Sequence, residues 1–221
     1  MPSIDLYYMP LSAPCRSIMM LAKALDVHLN LKLTDLMKGE HMRPEYLKMN
    51  PQHTIPTIDD NGFYLWESRA ILQYLANQYA KNDTLYPKDP KARAIVDNRL
   101  YFDMGTLYQK FGEYYYPVMF KGATSLDEEK RKELDNALQL LEGYLTQHKY
   151  VAGDHLTIAD FALLATVETI EAVDSRQIEK PHIRNWLNKC RSEVTGYKEL
   201  NADGAAVFGG MAKGALQKIQ A

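Results

Sequence analysis

Cysteine is scarce in this chain of 221 residues: only Cys15 and Cys190 are present, far apart, so no disulfide framework is expected. An excess of one charge is lacking too. The 26 Lys and Arg against 28 Asp and Glu leave a formal charge of -2, no electrostatic footprint for nucleic acid or an anionic membrane. No apolar stretch reaches the ~18 residues that a membrane-spanning helix needs. The opening Met1-Pro2-Ser3-Ile4-Asp5 has neither the basic nor the apolar segment of a secretion signal. Solenoid repeats and low-complexity runs are missing as well. What remains is ordinary globular composition, 46% hydrophobic and 24% charged, sufficient for one or two cored domains. The expectation is a soluble cytoplasmic protein with no nucleic-acid and no membrane partner.

The most informative segment is Ser12-Ala13-Pro14-Cys15-Arg16-Ser17. Before it, Ile4, Leu6 and Tyr8 alternate with Asp5, Tyr7 and Met9, the period of a strand. After it, Ile18, Leu21, Ala22 and Leu25 follow helical spacing, and Pro14 suits a first helical turn. A helix starting here aims free N–H groups and partial positive charge at whatever lies above, a place for a thiolate, phosphate or carboxylate. With cysteine at both ends, the Ser12–Cys15 spacing would read as a thiol–disulfide motif. Serine at position 12 can neither attack nor resolve a disulfide, but it can donate a hydrogen bond to another molecule's thiolate. It can equally N-cap the helix, and the spacing leaves both readings open.

Two grammars divide the chain. In residues 1–81 the order reads βαβ, then ββα: Leu29, Leu31 and Leu33 alternate in a second strand, and Asp59-Asp60-Asn61-Gly62 marks a hairpin. A helix begins near Glu67-Ser68 and runs to about Tyr79. Residues 82–91, with Pro87 and Pro90, read as a linker. Residues 92–221 show no strand: one long helix over Ala92–Tyr116, one opened by a Ser125–Glu128 capping box, and one opened by Thr157–Asp160. Shorter helices are expected around Pro181–Cys190 and after Gly196, while Ala202–Gly214 fits no clear pattern. The fold class is therefore α/β followed by an all-α domain.

Five segments carry a family resemblance: Ser12-Ala13-Pro14-Cys15-Arg16, Asn50-Pro51-Gln52-His53-Thr54-Ile55-Pro56, Trp66-Glu67-Ser68-Arg69-Ala70-Ile71, Leu85-Tyr86-Pro87 and Gly153-Asp154-His155-Leu156-Thr157-Ile158-Ala159-Asp160. In this order they resemble the cytosolic glutathione transferases, the insect delta class first and the epsilon class next. The resemblance implies a thioredoxin-like N-terminal domain that binds glutathione, an all-helical domain that holds a hydrophobic electrophile, and a homodimer. It implies that Ser12 stabilises the glutathione thiolate and that Ile55, before a cis Pro56, pairs with the peptide backbone. Glu67 and Ser68 would take the γ-glutamyl end, and His41 and His53 the glycine carboxylate. Arg69 would lie near the ligand and the dimer interface. Tyr108, Tyr116 and Phe208 would face the electrophile. No metal is implied. Other branches of the superfamily use a strand-1 tyrosine as donor, so Tyr7 and Tyr8 compete with Ser12; the Ser-x-Pro-Cys-Arg context favours the serine. Cys15 reads as a buried structural thiol and Asp160 as a helix cap.

Two other readings stand beside the transferase. A non-catalytic carrier of hydrophobic ligands could keep the fold, but would have no need of Ser12, Glu67 and Ser68. A glutathione-dependent oxidoreductase would want cysteine at position 12.

Overall fold

Alternation in the first strand separates the two faces of the sheet. In the computed structural model, which describes residues 3–220, strand β1 (Ser3–Tyr8) buries Ile4 and Leu6 and leaves Asp5 and Tyr7 half-buried. Strand β2 (His28–Leu33) lies parallel to it, β3 (Thr57–Asp60) antiparallel on its other side, and β4 (Phe63–Trp66) outside β3, in the order β2-β1-β3-β4. The β3–β4 hairpin turns at Asn61 (φ +55°) and Gly62 (φ +90°), a left-handed pair that Asn-Gly accommodates. Helices α1 (Ala13–Ala24) and α3 (Ser68–Tyr79) cover the apolar face, where Ile18, Leu21, Ile71 and Leu72 join Ile4 and Leu6 in one core. This is the thioredoxin-like arrangement.

Between β2 and β3 the chain adds what periodicity could not reveal: two single-turn 3-10 helices and the six-residue α2 (Pro44–Met49). Alternating patterns need more length than that, and α2 is anchored by one buried side chain, Tyr46.

The helical domain departs from expectation at two places. Instead of one uniform helix over Ala92–Tyr116, α4 (Pro90–Phe102) passes through a π turn, Asp103–Leu107, into α5 (Tyr108–Phe120). The wide turn sits where Asp103, fully buried, meets Arg69 of α3; such turns commonly mark functional positions. The next helix, α6 (Glu128–Leu145), is capped by Asp127, whose Oδ1 accepts from Glu129 N–H (2.8 Å) and Lys130 N–H (3.3 Å), rather than by Ser125. A carboxylate complements the helix dipole as well as the free N–H groups, which a hydroxyl does not.

Helix α7 (Ile158–Val173) is buried along most of its length and forms the axis of the domain, with the Thr157–Asp160 box at its start. Around it stand α8 (Pro181–Glu193) and α9 (Asp203–Gln220), the latter taking up the segment that fitted no pattern. Its glycines explain that. A Cβ on Gly204 would lie 2.2 Å from the Pro10 carbonyl oxygen, and one on Gly209 would lie 2.4 Å from that of Ala172. Close approach of α9 to the Ser12 loop and to α7 requires glycine there, at the expense of helix propensity.

Candidate active site

Ser12 has the extended backbone of an N-cap (φ -77°, ψ 115°), and its Oγ accepts from Cys15 N–H at 3.4 Å. That bond uses a lone pair and leaves the hydroxyl hydrogen free, so capping and donation to a bound sulfur are compatible on one side chain. Arg16, on the next turn and 1% exposed, fixes the loop before it. Its guanidinium donates to the carbonyls of Leu11 (2.8 Å), Pro10 (3.4 Å) and Ala165 (3.2 Å), to Asn201 Oδ1 (2.9 Å) and to Thr169 Oγ1. Burial draws its pKa down to about 10, which still leaves a cation at neutral pH. Beside it, Cys15 is fully buried and burial pushes its thiol up to about 11, so it is a packing residue and no nucleophile at neutral pH.

The second segment is braced from within. Buried Asn50 donates through Nδ2 to Thr54 O (3.0 Å), Thr54 Oγ1 (3.1 Å) and Thr57 Oγ1 (2.9 Å). Tyr46 Oη reaches Thr54 O at 2.5 Å and Thr57 Oγ1 at 2.9 Å. Between these anchors the Ile55–Pro56 bond is cis. Among the described residues no backbone partner engages the Ile55 N–H or C=O, so both are available to an extended peptide.

At the start of α3, Glu67 is exposed and held at φ +68°, and its side chain makes no capping bond. His53 sits at φ +48°. A left-handed backbone at a residue other than glycine costs roughly 1–3 kcal/mol, and such strain gathers at binding sites. Ser68 is buried and accepts from Arg69 Nη1 at 2.8 Å, while Arg69 Nη2 is paired with Asp103 Oδ2. The Arg69 guanidinium also lies 5.5 Å from the centre of the Tyr108 ring. Its polar atoms thus face Ser68 and Asp103.

One cleft of about 420 Å³ gathers Ser12, His41, His53, Ile55, Tyr108, Tyr116 and Phe208. Glu67, Ser68 and Arg69 do not line it, and neither do Tyr7 and Tyr8; Tyr7 instead packs edge-on against Tyr46 at 5.7 Å. The His41 and His53 rings stand 6.1 Å apart, and His41 Nδ1 is buried without a partner, as a group awaiting an acidic ligand would be. Opposite, Phe111 packs between Tyr116 (5.8 Å) and Phe208 (6.1 Å). Tyr116 donates its hydroxyl to that of Tyr108 at 2.9 Å.

Sequence reasoning missed several contributors. Met37, Phe120 and Met211 line the cleft, and all three are exposed large apolar side chains. Their signal was apolar character in loops or at helix ends, which is weak in sequence. Arg16 and Asp103 were hidden because their partners are remote along the chain.

A helix N-terminus bearing a free hydroxyl, set under an apolar cleft and beside an open peptide-binding edge, defines a class: two-domain proteins that hold a small thiol peptide next to a hydrophobic molecule. Residues 6–83 match the glutathione S-transferase N-terminal domain and residues 106–193 the glutathione S-transferase C-terminal domain. The chain is 48% identical over 215 residues to glutathione S-transferase D7 of Anopheles gambiae, spanning 96% of this chain and 98% of that one. A Nilaparvata lugens delta-class glutathione transferase of known structure is 57% identical with a TM-score of 0.91, over 96% of this chain and 99% of that one. An epsilon-class enzyme from the housefly, Musca domestica, has a TM-score of 0.90 but 36% identity, over 96% and 98% of the two chains. The protein belongs to the glutathione S-transferase family, and within it to the insect delta class.

Proposed function

We propose that this protein joins the sulfur of glutathione to hydrophobic electrophiles, with Ser12 donating its hydroxyl hydrogen to the thiolate. The observation that carries this reading is the shared cleft. Ser12, at the positive end of α1, borders the same space as Tyr108, Tyr116 and Phe208, so a sulfur held at Ser12 lies against the electrophile's pocket. Holding both partners in one water-poor space lowers the entropic barrier, and a fixed donor offsets the charge on sulfur. Each unit by which the thiol pKa falls is about 1.4 kcal/mol of preference for the anion.

The rest of glutathione follows from the donors around that point. Ile55 offers backbone N–H and C=O to the cysteinyl residue. Glu67 takes the ammonium of the γ-glutamyl residue, and the Ser68 hydroxyl with the α3 N-terminus takes its carboxylate. His41 and His53 meet the glycine carboxylate. Arg69 acts through Ser68: anchored on Asp103, it fixes the Ser68 oxygen and leaves that hydroxyl's hydrogen for the ligand.

A homodimer is part of the proposal. Ile95 and Tyr101 on α4 and Met104 just beyond it lie at helical spacing and are 45%, 61% and 40% exposed, and Phe63 on β4 is 48% exposed. An apolar line of that kind fits burial against a second copy. A cytoplasmic location is supported by two free, buried cysteines, and among the described residues no helix is long and apolar enough to cross a membrane. The direct test is conjugation of glutathione to 1-chloro-2,4-dinitrobenzene by the wild type and by Ser12→Ala. The reading requires activity in the first and its collapse in the second with glutathione still bound.

A further inference from the structure

On α5, Tyr108, Gly112 and Tyr116 are spaced four apart and share one helix face. Two side chains eight residues apart are normally separated by the one between them. Here the middle position is glycine, and the Tyr116 ring lies over it: a Cβ on Gly112 would come within 3.1 Å of Tyr116 Cε2 and 3.2 Å of Cδ2. The missing side chain lets the Tyr116 hydroxyl reach that of Tyr108 at 2.9 Å.

In this arrangement Tyr116 donates and Tyr108 accepts. Among the described residues no acceptor engages the hydrogen of Tyr108 itself. A hydroxyl that accepts one hydrogen bond becomes a better donor of its own. Burial raises the Tyr108 pKa, and the bond from Tyr116 and then the charges of Arg69 and Arg16 oppose that rise. The other hydroxyl on this side of the cleft, Thr169, is committed: it donates to Ala165 O at 2.8 Å and accepts from Arg16. Met9, Leu11, Phe120, Phe208 and Met211 supply apolar wall.

We infer that the Tyr116–Tyr108 hydroxyl pair stabilises negative charge arising on an oxygen of the electrophile, and that the cleft therefore favours long-chain α,β-unsaturated aldehydes and ketones. This rests on the transferase reading above and narrows its substrate class. In the addition, the sulfur lone pair forms a C–S bond to the β-carbon. The C=C π pair moves to the Cα–C bond, and the carbonyl π pair moves onto oxygen as an enolate. Tyr108 donates its hydrogen bond to that oxygen. The α-carbon then takes a proton from water, replacing the one the glutathione thiol released, so atoms and charge balance. Displacement of an alkyl halide develops no charge on oxygen and gains nothing from the pair.

The test compares kcat/KM for trans-2-nonenal with that for benzyl chloride in wild type, Tyr108→Phe, Tyr116→Phe and Gly112→Ala. Loss of an oxyanion donor commonly lowers rates about 100-fold or more, so the nonenal-to-chloride ratio is expected to fall at least about tenfold in Tyr108→Phe. In Tyr116→Phe it should fall about threefold, the size of a partial loss of cooperative strengthening. Gly112→Ala keeps both hydroxyls but displaces the Tyr116 ring, and its ratio should fall as in Tyr116→Phe. Equal losses for both substrates in Tyr108→Phe, or a wild type that accepts benzyl chloride and refuses nonenal, overturn the inference alone. A wild type that conjugates neither substrate overturns the transferase reading beneath it.

Discussion

Replacing Asp160 by alanine should destabilise the protein far more than loss of an ordinary helix cap. The carboxylate is fully buried and takes hydrogen bonds from Thr157 N–H (2.8 Å), Thr157 Oγ1 (3.0 Å), Val151 N–H (3.0 Å) and Trp186 Nε1 (3.0 Å). It therefore joins the start of α7 to the preceding loop and to α8. A cap alone is worth about 0.5–2 kcal/mol. Alanine would orphan three buried N–H donors at about 1–3 kcal/mol each, for an expected loss of about 3–5 kcal/mol after partial entry of water. For a chain of this size that lowers Tm by roughly 10 °C. Trp186→Phe removes a single donor and leaves the carboxylate with the others, so its loss should be near 1 kcal/mol beyond the change in packing. The assay is denaturant unfolding at fixed protein concentration, with conjugation measured per folded molecule. Asp160→Ala should keep its activity while folded, because Asp160 does not line the cleft. A loss below about 1 kcal/mol would refute the reasoning, since it would mean the donors find other partners at no cost.

Asp103→Asn leaves the Arg69 charge buried without its anion, a change that costs about 3–5 kcal/mol. Thermal melting should show that loss, and calorimetry should show weaker glutathione binding as Ser68 loses its fixed donor. Gly204→Ala and Gly209→Ala should each cost about 1–3 kcal/mol through overpacking. Only Gly204→Ala should also depress kcat, because the displaced Pro10 carbonyl belongs to the loop that carries Ser12. Burial pushes the thiol of Cys15 up to about 11 and that of Cys190 higher still, so thiolate is scarce at neutral pH and grows only as pH rises toward those values. A coloured disulfide reagent should find no reactive cysteine in the native protein near pH 8 and both after unfolding.

What was legible in the sequence was local. Ile4 and Leu6 alternate within one strand, Pro14 and Ser12 sit side by side at one helix start, and Asn61-Gly62 makes its own turn; each signal needs only neighbours. What was illegible depends on distant partners. Arg69 and Asp103 are 34 residues apart, and Arg16 and Asn201 are 185 apart. Nothing near Arg69 in sequence distinguishes an arginine that touches ligand from one that braces Ser68. The π turn at Asp103 was hidden for the same reason, since it accompanies a contact to another helix. Within α9, Gly204 and Gly209 lowered the helical signal because the packing surface they open is formed elsewhere in the chain. The cap of α6 was misplaced on a local ambiguity, with Ser125 and Asp127 both able to cap and the charged one prevailing.

The central claim is that Ser12 holds glutathione as its thiolate, and the direct measurement is the ultraviolet absorbance of that thiolate in the binary complex, titrated against pH. Wild type and Ser12→Ala should both bind glutathione. The account predicts that the bound thiol ionises at a pH at least about one unit lower in the wild type, equivalent to about 1.4 kcal/mol from the hydroxyl. Coincident titrations would contradict it and move thiolate stabilisation to the α1 N-terminus alone.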